Sequence, residues 1–132
     1  MAPPESLALQ HPVQIRGSER FISDVQRVLS ELQEFAPERY EQVITLMPRI
    51  ELRPDRLADY TDPAGYGRMQ RDSAAYGKEY WEAYRRWKWD FLHEAGHLAA
   101  GRLRGDWRDE KANRWANMVM AEIDAAWYRA HW

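Results

Sequence analysis

The sequence contains no cysteine. Disulfides are therefore excluded, and any metal site must be built from histidine and carboxylate. No apolar run approaches the length of a membrane span. An excess of one charge is lacking too. The net charge of −2 gives no electrostatic reason to expect nucleic acid or an anionic membrane as partner. The opening residues, Met1-Ala2-Pro3-Pro4-Glu5, carry neither the basic stretch nor the long apolar core of a secretory signal. The expected compartment is the cytoplasm, although export by a signal-free machine would leave no mark to read. Internal repeats and low-complexity segments are also absent. Tryptophan is missing from the first half of the chain: all seven lie from Trp81 onward, so the bulky part of the core belongs to the second half.

What is present fits one globular domain. The 132 residues are 30% charged and 45% apolar, enough for a single core. Residues 1–11, rich in proline, read as a flexible tail, and residues 12–132 as the domain. Val13-Gln14-Ile15-Arg16 alternates and stops at Gly17, which predicts a short strand. Ser18 is a natural N-cap, and Phe21, Ile22, Val25, Val28, Leu29 and Leu32 follow at helical spacing, predicting a helix over 19–34. Pro37 opens a second helix carrying Tyr40, Val43, Ile44 and Met47, which stops at Pro48. Residues 49–53 alternate as a second strand. Residues 54–72, with Asp-Pro and two glycines, read as an irregular surface loop, a plain connector in preference to a rim of a cleft.

Helical spacing then governs 73–104. Tyr80, Tyr84, Trp87, Phe91, Ala95 and Leu98 make one stripe, Gly77 interrupts near its start and Gly105 caps its end. After a short turn a last helix begins near Asp109 and runs to about Tyr128, with Ala112, Ala116, Val119, Ile123 and Ala126 as its inner stripe. The fold class expected is α+β, mostly helical, with a small sheet containing 13–16 and 49–53.

The stretch with chemistry in it is His93-Glu94-Ala95-Gly96-His97. On a helix His93 and His97 are i and i+4, so both rings leave one face, one turn apart. Two imidazoles so placed can tilt onto one metal ion. Glu94, one residue round, is badly placed as a ligand but can serve a metal-bound water as general base. The flanks Phe91, Leu92, Ala95, Leu98, Ala99 and Leu103 are apolar, so this reads as a core helix. Two histidines and a glutamate are costly there unless paired or metal-bound.

A catalytic zinc needs a third protein ligand and an open position for water. The candidates are Asp106, Asp109, Glu110, Glu122, His11 and His131. Three residues back from Ala112 along the inner stripe lies Asp109. Glu110 shares its phase with Asn113, Arg114 and Asn117, the polar face. Asp109 is therefore the expected ligand and Glu110 the fallback. The ordinary alternative for Asp109 is a first-turn acid favoured by the helix dipole.

His93-Glu94-x-x-His97 is the H-E-x-x-H signature of the zincin metallopeptidases. With Asp109, Ala112-Asn113 and Trp115-Ala116 following, residues 91–120 resemble small bacterial and phage zincins, most of all the ImmA/IrrE type. In that type an acid of such a second helix, usually glutamate, completes the zinc site; here aspartate stands in its place. The resemblance implies a zincin-like domain and a zinc-dependent peptidase acting on a protein or peptide substrate. His93, His97 and Asp109 would be the ligands and Glu94 the base. Tyr66, Tyr76 and His131 are candidates for stabilising the oxyanion. A closed structural zinc is the weaker reading, since such sites commonly use cysteine. The competing class is a non-catalytic helical module that binds a partner, or a degenerate zincin that binds without cutting.

Overall fold

A computed structural model describes residues 11–55 and 58–132. The elements are β1 (Gln14–Arg16), α1 (Glu19–Phe35), α2 (Pro37–Leu46), β2 (Arg49–Leu52), β3 (Tyr60–Asp62), β4 (Tyr66–Met69), a 3₁₀ turn (Ser73–Tyr76), α3 (Tyr80–Arg104) and α4 (Asp109–His131). The chain is α+β and mostly helical, with one four-stranded sheet in the order β1-β2-β4-β3. As the alternation predicted, 13–16 and 49–53 meet: β1 and β2 pair in parallel, with Ile15 opposite Ile50. Among the described residues no helix is long and apolar enough to cross a membrane.

Residues 54–72 differ from the expected loop. They contain a hairpin in which β3 runs antiparallel to β4, and β4 lies parallel to β2. Its turn is Asp62-Pro63-Ala64-Gly65. The Asp62 carboxylate accepts from Ala64 N–H at 2.8 Å, the Asp62 carbonyl accepts from Gly65 N–H at 2.9 Å, and Gly65 takes φ +105°. The pleat sends Ile50, Gly67 and Thr61 to one face of the sheet and Arg49, Tyr66 and Asp62 to the other.

The helices form where periodicity and caps agree. Ser18 accepts from Phe21 N–H at the start of α1, Pro37 opens α2, and Gly105 in the left-handed region closes α3. The core sits between α1, α3 and α4. Phe21, Val25, Leu29, Trp87, Phe91, Leu98 and Val119 are buried there. Phe21 meets Trp87 edge-on at 5.9 Å, and Trp87 stacks on Phe91 at 5.6 Å. Side chains of this size stabilise by roughly 1.5–3 kcal/mol each on burial.

Four details depart from the sequence reading. The interruption expected at Gly77 is a complete break: a 3₁₀ turn ends there in the left-handed region, and the helix begins only at Tyr80. Tyr80 and Leu103, at the two ends of α3, are exposed; Tyr80 lies on the surface beneath Arg20 and Arg27. The last helix runs to His131, past Tyr128. Of the expected tail, only His11 is described. It is buried, its Nδ1 2.8 Å from the Tyr40 hydroxyl and its Nε2 3.1 Å from the Ser30 hydroxyl.

Candidate metal centre

The centre lies where the second half of α3 meets the start of α4. Small residues let the two helices come together. A Cβ added to Gly96 would stand 2.9 Å from the Ala112 carbonyl oxygen and 3.1 Å from its Cα, so only glycine fits at this spacing. Gly101 is similarly covered by the Trp107 ring, which a Cβ would strike at 2.2 Å.

Close approach brings Asp109, the first residue of α4, onto the two histidines. Its Oδ1 is 2.9 Å from His97 Nε2 and 3.3 Å from His93 Nε2. The rings stand at 87° with centroids 4.6 Å apart. Donor atoms bonded to one tetrahedral zinc at 2.0–2.1 Å are about 3.3 Å from each other. The two carboxylate–imidazole distances are near that spacing, and all three donors lie within 4.8 Å of one another. Aspartate, shorter than glutamate by one methylene, reaches both rings. The histidine side chains are mostly covered, and that of Asp109 is 79% exposed, so the cluster opens to solvent on one side.

Each histidine ring is oriented by a second hydrogen bond. His93 Nδ1 donates to Asn113 Oδ1 at 2.7 Å, which leaves the lone pair on Nε2. His97 hydrogen-bonds the Trp107 backbone with its other nitrogen. Burial first, then the neighbouring His93, lowers its pKa, against the pull of Asp109. A lowered pKa keeps the ring neutral at pH 7, as ligation requires. Trp89 stacks on His93 at 5.4 Å, and its indole N–H donates to Asn117 at 2.8 Å. Asn113 and Asn117 therefore face α3. The expected polar face holds at Arg114 and Asn117, which are exposed; Asn113 is half-buried, and half-buried rings on α3 supply both amides with partners.

Glu94 is 4% exposed. Thr61, on β3, sets its hydroxyl against the Glu94 carboxylate Oε2 and lies 3.1 Å from the Glu94 carbonyl oxygen. Burial pushes the Glu94 carboxyl up to about 7, against the Thr61 hydrogen bond, and the nearby charges of Asp59, Asp109 and Asp90 add to the rise. No buried side-chain oxygen among the described residues lacks a partner, and Thr61 takes Oε2. The remaining exposure of Glu94 therefore falls on Oε1.

The other candidate ligands lie elsewhere. Glu110 is exposed and pairs with Arg114 at 3.4 Å, Glu122 with Arg39 at 2.9 Å, and Asp106 with Arg108 at 2.8 Å. His11 is held by Tyr40 and Ser30. His131 Nδ1 donates to the Trp127 carbonyl at 2.8 Å, at the far end of α4 and roughly 33 Å along the helix from Asp109. That distance removes it as an oxyanion donor. Tyr66 is removed as well, because it stacks under Arg49 and Arg68 on the sheet face opposite to Thr61. Tyr76 lines the groove beside Trp89 and Asp90.

Sequence reasoning missed Thr61, Asn113, Asn117 and Trp107. Asn113 carried a usable signal, since it sits four residues after Asp109 and shares that residue's side of α4. Comparison of the chain with protein-family models, curated proteins and solved structures returns no match.

Proposed function

We propose that the chain is a zinc-dependent metallopeptidase with a zincin-like domain. The observation that carries the reading is the convergence of one carboxylate oxygen on two histidine Nε2 atoms, 2.9 and 3.3 Å away, at an H-E-x-x-H helix. His93, His97 and Asp109 would hold the zinc, which when bound would supply Lewis acidity for activating water and polarising a carbonyl.

The chain's own residues do the rest. Glu94 Oε1 takes the proton of the attacking water and returns it to the departing amine. Thr61 fixes the Glu94 carboxylate, so the base does not swing away. Asn113 fixes the ring of His93. β3 is the edge of the sheet and carries Thr61, so its free backbone groups can align an extended peptide alongside Glu94.

The test is zinc content and turnover together. The purified protein should carry stoichiometric zinc by mass spectrometry and cut a mixed peptide library. Glu94→Gln should keep the zinc and lose turnover by at least about a hundredfold. Asp109→Asn should release zinc, and Glu110→Gln should not. Wild-type protein that binds no zinc after dialysis against it would leave the non-catalytic helical module as the better reading.

A further inference from the structure

A groove lies along α3 on the N-terminal side of the histidines, with Trp89 in its lining, and it is rich in charged side chains. Residues 86, 90, 93 and 97 follow one another at steps of four, three and four, so Arg86 lies on the face of α3 that carries the histidines. The groove holds about 580 Å³, with Arg71, Tyr76, Arg86, Trp89 and Asp90 in its lining. Trp89 belongs to both places, since its ring also stacks on His93.

Two guanidiniums converge on one ring here. Arg71 is 4.9 Å and Arg86 5.9 Å from the Tyr76 centroid. Among the described residues neither makes an ion pair, whereas Arg85, also in the lining, is taken by both oxygens of Asp124 at 2.6 and 3.1 Å. Of the two acids in the groove, Glu82 is paired with Lys78 at 3.2 Å, and Asp90 is half-buried, near Asp59 and under the influence of the Arg71 charge without forming an ion pair with it.

The frame beneath is tied at three successive residues. The Arg71 carbonyl accepts from the buried Trp87 indole at 2.9 Å. Asp72 accepts from Ala74 N–H at 3.0 Å and from the Ser18 hydroxyl at 2.7 Å. Ser73 gives both its N–H and its hydroxyl to the buried Asp24, each at 2.8 Å. A frame held in this way loses little freedom when a ligand arrives.

Resting on the metallopeptidase reading, we propose that this groove is the subsite for an acidic substrate side chain, held by Arg71 and Arg86 over Tyr76. Guanidinium groups suit carboxylates because their donors form a fork. Arg86 stands seven residues before His93, about 10 Å along the helix. An extended peptide covers that distance in about three residues. The substrate glutamate or aspartate therefore lies about three residues from the bond that is cut, with Trp89 as the wall between.

Binding and cutting are read separately. Zinc-loaded Glu94→Gln protein is titrated, by fluorescence anisotropy, with labelled mixed-sequence peptide pools rich in Glu, in Gln or in Lys. The Glu-rich pool should bind roughly tenfold tighter than the Gln-rich pool. Arg71→Gln with Arg86→Gln should abolish that difference with zinc content unchanged, and Arg86→Glu should shift preference toward the Lys-rich pool. Both arginines are exposed, so these proteins should fold. Equal binding of the pools, or a preference that survives the double substitution, overturns the subsite. Wild-type protein and an unbiased library separate the two claims. Cleavage without an acid about three residues from the cut bond overturns the subsite and leaves the peptidase standing. Absence of cleavage, with acid preference present and arginine-dependent, overturns the peptidase and supports the anion-binding groove.

Discussion

The two halves of α3 are made of different material. The first half is aromatic: Tyr80, Tyr84, Trp87 and Phe91 stack in sequence at 6.1, 6.4 and 5.6 Å. The second half is small, with Ala95, Gly96, Ala99, Ala100 and Gly101. Where the residues are large, a groove of about 430 Å³ opens between α1, α3 and α4, with Trp81 and Trp127 on its walls. Where they are small, the α4 backbone at Ala112 would touch any Cβ on Gly96. Bulk supplies stability at one end, and absence of bulk supplies geometry at the other. Asp109 is three residues before Ala112, so the spacing at Gly96 sets how near its carboxylate comes to the histidines.

That division can be broken by substitution. Trp87→Ala should give the largest effect, a loss of about 3–5 kcal/mol in denaturant melts, because it leaves a large cavity and strips the partner from the Arg71 carbonyl. Zinc affinity of the folded protein, measured by chelator competition, should stay within about twofold, since Trp87 touches none of the ligands. Loss of zinc in parallel with stability would show that the two ends are not separate. Gly96→Val should act the other way. Overpacking costs about 1–3 kcal/mol, and displacement of α4 should weaken zinc by more than about a hundredfold. An unchanged affinity would show that the close approach is incidental.

Asn113→Ala should be milder still. It touches no metal donor, and it frees the His93 ring to turn. Zinc affinity should fall about 10–100-fold, with stability changed by less than about 1 kcal/mol. Asn113→Asp, which also accepts from His93 Nδ1, should restore most of the affinity. Failure of that rescue would assign Asn113 a packing role only.

Much of this was legible in the residues. Helical spacing located α1, α2, α3 and α4, because each buries one continuous stripe. Alternation located β1 and β2. The inner phase of α4 selected Asp109 over Glu110, and Asp109 is the acid that meets the histidines. The hairpin of β3 and β4 was not legible. Its strands are three and four residues long and contain Asp, Gly and Arg, so pairing with β2 makes them strands, not propensity. Thr61 was hidden with them. The role of Asn113 was hidden because polar residues on a helix ordinarily face water, and its partner is a ring from another helix.

The positions of these groups along the chain imply an order of assembly. His93, His97, Asp109 and Asn113 all belong to one helical hairpin spanning 21 residues, and contacts so local form early. Thr61 comes from a strand at the sheet edge, 33 residues before Glu94, and that sheet is built partly by parallel pairings. Such pairings close large loops and form late. The ligand set is therefore expected to gather before the base is clamped. If the proposed function holds, a nascent chain would bind metal while still unable to cut, and competence would arrive only with the pairing of β3. Time-resolved refolding with zinc would show this as metal uptake preceding turnover.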